Sequence, residues 1–241
     1  MECALRENQV LRQTHHNPSG DEDMLLLPLL IRAAADMGKS HLPSFIEIGA
    51  YNGIHGSQTL ILERCFGWRG ALIEASPQNF ESMLQSSNRS SPMANHAVCN
   101  NSEGGTVQIA SGGGTVAGDL SKMGRTHLRR WSRFHGNATA NVPCRPLLDI
   151  YRLLMHPGAT NAPSRGHPVH PITYLSLDVE GAELDVLQSV PNLDDHPFEF
   201  VLVENEYNND SKRLPIQLSE SLRVSTRRVT LTCASSYPPV S

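Results

Sequence analysis

Apolar residues along the chain fall into short runs, divided by polar stretches rich in glycine, proline and asparagine. Residues 1–23 are polar and read as a flexible tail. Residues 24–39 carry a Leu/Ile face at helical spacing and read as a helix ending near Gly38. SFIEIGA after Pro43, GALIEASP up to Pro77, ITYLSL after Pro171 and FEFVLVENE after Pro197 are apolar almost throughout. Such runs suit strands buried on both faces. Helical spacing recurs from about Ser57 to Cys65, over Asn79–Ser87 and over Leu147–Met155. Met93–Cys99 reads as a third strand and Thr106–Ala110 as a fourth, joined in a hairpin across Ser102–Gly105. Residues 111–141 lack periodicity and read as a long loop of the kind that lids a site. Residues 156–171 read as an exposed insertion. The alternation predicts one α/β domain with a mostly parallel sheet and helices on both faces.

The totals narrow the class. At 241 residues and 39% hydrophobic content the chain can bury the core of one domain. A formal net charge of -4 gives no electrostatic footprint for a polyanion, so no nucleic-acid partner is expected. No apolar run reaches the roughly 18 residues of a membrane span, so no transmembrane segment is expected. The first residues lack the apolar core of a signal peptide, which leaves a soluble chain and the cytoplasm as the default location. Cys3, Cys65, Cys99, Cys144 and Cys233 show no metal-ligand spacing and read as free, mostly buried thiols, with no metal site. Sequons stand at Asn88, Asn100, Asn137 and Asn209, and matter only in a secretory compartment.

Chemistry concentrates at the strand ends. Glu47-Ile48-Gly49-Ala50-Tyr51-Asn52-Gly53 closes the first strand with an E-x-G-x-x-x-G loop. A dinucleotide site needs glycine where Tyr51 stands, because its pyrophosphate touches the backbone there. The amino-acid end of S-adenosylmethionine has no pyrophosphate and suits an acid followed by glycines. Glu74 ends the second strand, one strand–helix–strand unit later, where a carboxylate can accept both hydroxyls of a ribose. Asp178-Val179-Glu180-Gly181-Ala182-Glu183 follows the apolar strand over 174–177. Acids at the start of a helix are favoured by its dipole, which accounts well for Glu183. It accounts less well for Asp178, the first candidate to orient an acceptor hydroxyl or take its proton, with Glu180 the second. Glu204 ends a further strand and is a weaker substrate-side candidate.

These motifs resemble the FkbM-type methyltransferases. DVEGAE after an apolar strand, EIGAYNG upstream and the acid at the end of GALIE carry the resemblance over about residues 18–208. GSQTLILE, GWRGALIEASPQNF and VPCRPLLDI are similar to elements of the eukaryotic, Star-like branch, with Gln58 where Asn is usual and Ala75-Ser76-Pro77 where many members have Glu-Pro. The resemblance implies a Rossmann-like S-adenosylmethionine-dependent methyltransferase fold over 24–210. It also implies O-methylation of a hydroxyl on a sugar, lipid or small metabolite. Glu47, Gly49, Ala50, Tyr51 and Gly53 would border the methionine end, and Glu74 with Ala75 the ribose. Cys99 and Asn100 would lie near adenine, and Asp178 and Glu180 would face the transferred methyl group. Members usually end in an antiparallel strand pair, whereas 211–241 offers one candidate strand, Val229–Cys233. That leaves a sheet edge open to self-association. The competing functional class is a non-catalytic interaction protein on the same scaffold.

Overall fold

The structure, a computed structural model, describes residues 2–15, 22–36, 42–101, 103–111, 114, 117–125, 128–129, 132–133, 138–155, 172–190, 198–204 and 231–234. At its centre β1 (Ser44–Ile48) and β7 (Ile172–Leu177) are buried at every position. They are flanked by β2 (Arg69–Ile73), β3 (Met93–Ala94), β8 (Phe198–Glu204) and β9 (Leu231–Ala234) in the order β3–β2–β1–β7–β8–β9. Every pair in this sheet is parallel. The chain winds outward from β1 through β2 to β3, then returns to place β7 on the other side of β1. The order therefore reverses between β1 and β7, where open α/β sheets bind ligands.

Strand alternation sorts side chains onto two faces. Ile46, Ile48, Ile73, Leu175 and Leu177 pack with residues of α5 (Leu147–Met155) and α6 (Glu183–Gln188). Phe45, Leu72, Tyr174 and Phe200 pack on the other face against Leu26, Leu27 and Leu30 of α2 (Glu22–Asp36), Ile61 and Leu62 of α3 (Leu60–Phe66), and Met83 of α4 (Pro77–Ser86). Glu47 stands two residues from Phe45 and so belongs to this second face. A small sheet of order β4–β6–β5 lies beside the main one, formed by β4 (Ala97–Val98), β5 (Gly105–Ala110) and β6 (Thr139–Arg145).

Several expectations change. The N-terminal residues, read as a flexible tail, form helix α1 (Glu2–His15), with Ala4 buried and Cys3 bonded to Cys65 of α3. Cys99 and Cys144 form a second disulfide across β4 and β6, so four of the five cysteines are not free thiols. The run Met93–Cys99 divides between the two sheets. β5 pairs with β6 rather than folding back on β4 as a hairpin. β6, whose first three residues fall in the expected loop, turns Ala140, Val142 and Cys144 inward, and Pro143 in mid-run argues against a strand in sequence. The insertion 156–171 and most of 211–241 lie outside the described residues.

β9 overlaps the candidate strand Val229–Cys233 and runs parallel to β8, pairing Val201 with Leu231 and Glu204 with Ala234. It covers the backbone edge of β8, which would otherwise offer a row of unpaired N–H and C=O groups. Deleting 212–241 is expected to lower the melting temperature and to shift the chain toward dimers or larger species on size exclusion. A truncated chain that stays monomeric with an unchanged melt would show that β9 protects nothing.

Candidate functional site

Register aligns the ends of four strands. Ile73, Ile48, Leu177 and Val203 lie side by side across β2, β1, β7 and β8. The next residues are Glu74, Gly49, Asp178 and Glu204, so three acid positions share one carboxyl edge. Neighbouring strands are about 5 Å apart, which puts the Glu74 and Asp178 backbones roughly 10 Å apart.

Gly49, at φ +82°, sits at the reversal point. A Cβ built there would lie 1.7 Å from the Asp178 carbonyl oxygen. The Asp178 N–H in turn donates to the Ile48 carbonyl at 3.0 Å. Glycine is thus required by the joint between β1 and β7 itself. Ala50 is buried beside it, and Tyr51 takes the left-handed conformation at φ +50°. That turn aims the Tyr51 N–H at Glu74 Oε2, 2.8 Å away.

Glu74 is 5% exposed. Its Oε1 accepts from the Ser76 N–H at 2.7 Å, and the Asn79 side chain adds a further hydrogen bond. Burial outweighs these donors and pushes the carboxyl up to about 7. Asn95 donates to the Glu74 and Ala75 carbonyls at 2.8 and 2.9 Å, fixing the exit from β2.

Glu47 does not reach the edge. Its oxygens accept from the Ser57 hydroxyl at 2.9 Å, the Gln58 N–H at 2.8 Å and the Thr59 hydroxyl. Arg89, whose side chain is wholly buried, lies 3.9 Å from Glu47 and 3.0 Å from Glu63. The same guanidinium donates to the Gly53 carbonyl at 2.9 Å, to Ser57 Oγ at 3.0 Å and to Thr59 Oγ1 at 2.8 Å. Burial alone would raise the Glu63 carboxyl. Arg89, with the Ser91 hydroxyl and the Ser90 N–H, holds it below its usual value. Glu47 and Arg89 therefore lock the glycine loop from beneath.

The acidic turn after β7 is also specialised. Asp178 is exposed and Glu180 is partly buried, with a left-handed φ of +57° unusual for a side chain of this size. Glu183 is buried, and its carboxylate accepts from the Gly181 N–H at 3.0 Å, a local role that fits the start of α6. Part of the expected lid covers this turn. Gly118 packs against Val179–Glu180, and a Cβ on Gly181 would meet the Lys122 carbonyl at 2.8 Å. Lys122 also pairs with Asp185 at 2.8 Å. At its other end, Gly114 exchanges two 3.0 Å hydrogen bonds with the Asn79 side chain. Gly114 thus lies beside the Glu74 partner Asn79, and Gly118 lies over Glu180.

Cys99 directly follows β4 of the small sheet, and its disulfide removes the thiol as a ligand, while Asn100 is exposed. Sequence reasoning missed Arg89, Asn79, Asn95 and Gly118. A buried acid in β1 calls for a cation, but Arg89 sits in the polar run SSNRSSP, where nothing marks it as buried. The family described as Methyltransferase FkbM domain matches residues 47–221, from the end of β1 through the acidic turn and β8. No curated protein and no solved structure matches. The match spans well over half of the chain, which belongs to the FkbM methyltransferase family.

Proposed function

We propose that the chain transfers a methyl group from S-adenosylmethionine to a hydroxyl on a sugar, lipid or small metabolite. The observation that carries this reading is the row of acid positions at 74, 178 and 204 along the edge of the order reversal. Glu74 fits the donor. It is buried among N–H donors, and no cation neutralises it among the described residues. Its three donors leave one of about four lone-pair sites for a ribose hydroxyl, and a second hydroxyl can share an oxygen already bonded to an N–H. When bound, S-adenosylmethionine supplies a methyl group on a cationic sulfur, open to attack by an oxygen lone pair.

In this reading Glu74 accepts the ribose hydroxyls and Ala75 borders them. Gly49, Ala50, Tyr51 and Gly53 border the amino-acid end, and Glu47 acts through the loop it holds. Cys99 and Asn100 lie toward the adenine. Asp178 orients the acceptor hydroxyl and takes its proton as the new bond advances, with Glu180 beside it. Glu204 borders the acceptor. Gly114 and residues 117–122 shield the reacting atoms from water.

Titration calorimetry tests the donor: S-adenosylmethionine and S-adenosylhomocysteine should bind and NAD should not. The strand order also occurs in dinucleotide-binding folds, so it is the loop at Tyr51 that makes this distinction. Tighter binding of NAD would overturn the reading. Binding of the donor without methyl transfer to any hydroxyl acceptor would favour a non-catalytic interaction protein.

Glu74 gives the titration a pH signature. Its carboxyl stands near 7 against an ordinary 4.5, so it is largely protonated at pH 6 and ionised at pH 8. Hydroxyl donors favour the ionised form. Donor affinity should therefore rise about tenfold from pH 6 to pH 8 and then level off. Stability has the opposite sign: the group favours folding fully below about 4.5 and loses that contribution as pH rises toward 7. Glu74→Ala should weaken binding by about 1.5–3 kcal/mol and flatten the pH profile. An unchanged profile would place the ribose elsewhere.

A further inference from the structure

The two disulfides join residues far apart in sequence, 62 positions for Cys3–Cys65 and 45 for Cys99–Cys144. Each also joins separate elements. The first fixes α1 to α3, and the second closes the small sheet across β4 and β6. Structural disulfides of this kind persist in oxidising compartments and are rare where glutathione and thioredoxin keep thiols reduced. In the eukaryotic secretory lumen, Asn-x-Ser/Thr is also an acceptor for N-linked glycans.

Asn88-Arg89-Ser90 meets that requirement on the surface. Asn88 is exposed, one residue beyond the C-cap Ser87 of α4. Its left-handed φ of +48° turns the chain away from the helix. α4 has ten residues and is about 15 Å long. Its opposite end carries Ser76 and Asn79, which contact Glu74 and Gly114 at the cleft. A glycan on Asn88 therefore projects from the end of α4 remote from the cleft. Asn100 is exposed as well but directly follows Cys99. Asn137 and Asn209 lie outside the described residues. The backbone offers a simpler reason for Asn88, since asparagine tolerates the left-handed position after a helix. The Ser90 hydroxyl also has a local role, donating to Glu63 at 3.1 Å. Neither local role accounts for the four paired cysteines.

We propose that the chain matures in the lumen of the secretory pathway, where both disulfides form and Asn88 receives an N-linked glycan. For each disulfide, two thiols lose two electrons and two protons to a lumenal disulfide oxidant, which is reduced to a dithiol. At Asn88, the amide nitrogen forms a bond to the anomeric carbon of a polyprenyl-diphosphate-linked oligosaccharide. The sugar–diphosphate bond breaks, polyprenyl diphosphate leaves, and the amide gives up one proton. The proposal does not rest on the methyltransferase reading, and Cys99 is the one residue that the two share.

The test is expression from the protein's own gene in cells of its source, followed by alkylation without reduction and peptide mass spectrometry. The expected result is that Cys3, Cys65, Cys99 and Cys144 become alkylated only after reduction. The Asn88 peptide should be found as aspartate, carrying heavy oxygen, only after peptide N-glycosidase treatment in heavy-oxygen water. Ser90→Ala keeps asparagine at the turn and should abolish the glycan, whereas Ser90→Thr should retain it. Alkylation of the four cysteines before reduction would overturn the compartment. An unmodified Asn88 peptide, or a glycan that persists in Ser90→Ala, would overturn the site.

Discussion

Asp178→Asn is expected to slow methyl transfer by about 10²–10⁴-fold, the usual contribution of a positioned acid or base. Donor affinity should stay nearly unchanged. The substitution is well suited to separating chemistry from folding because the joint at this position is made by the backbone. The Asp178 N–H bonds to Ile48, and its carbonyl packs on Gly49, while the side chain is exposed. Asparagine preserves both backbone contacts and nearly the same volume. Glu180→Gly is the companion variant. Its left-handed φ favours glycine over glutamate by about 1–2 kcal/mol, which offsets part of what the side chain contributes to the fold. A loss of turnover without loss of stability would assign Glu180 a part in the reaction. If Asp178→Asn lost donor affinity and turnover in proportion, Asp178 would be a binding residue instead.

What could be read from the chain follows from how strongly each element depends on its own residues. β1, β2, β7 and β8 are apolar at most positions because helices or packed side chains cover both faces, so their runs identify them. The acids that end these strands were legible for the same reason: a charge directly after a buried strand falls at the carboxyl edge. β6 was not legible, since its inward residues are few and small and a proline interrupts the run. α1 has a polar sequence and is anchored by a disulfide and one buried alanine, neither of which a hydrophobic pattern reports.

Glu47 shows the limit within the site. Its position in the loop motif marks it as important. Its face is set by alternation with Phe45, which turns it toward α3 and α4 rather than toward the cleft. The motif identifies the residue without identifying its partner. Glu74 is the reverse case. Its place just after β2 already puts it at the edge, and the structure adds the N–H donors that orient it.

Arg89→Met should destabilise the fold by about 3–5 kcal/mol, the range for breaking a buried ion pair from one side. Methionine fills much of the arginine volume against Phe45, so lost packing is a minor part of the effect. The larger part is electrostatic: Glu47 and Glu63 would remain buried without their shared cation, and the Gly53 carbonyl, Ser57 and Thr59 would each lose a donor. Against a total stability of about 5–15 kcal/mol, such a change consumes much of the margin. Arg89→Lys should recover only part of the loss, because an ammonium cannot reproduce the planar fork that serves four acceptors. Combining Arg89→Met with Glu47→Gln and Glu63→Gln should also recover part of it, since the stranded charges are then gone. Chemical denaturation of the four proteins measures these differences directly. The lock requires a further result: among variants that remain folded, donor affinity should fall because the Gly49–Gly53 loop is no longer held. A folded Arg89→Met chain within 1 kcal/mol of the parent, on the scale of an ordinary surface change, would show that the buried acids find other partners and that Arg89 does not hold the loop.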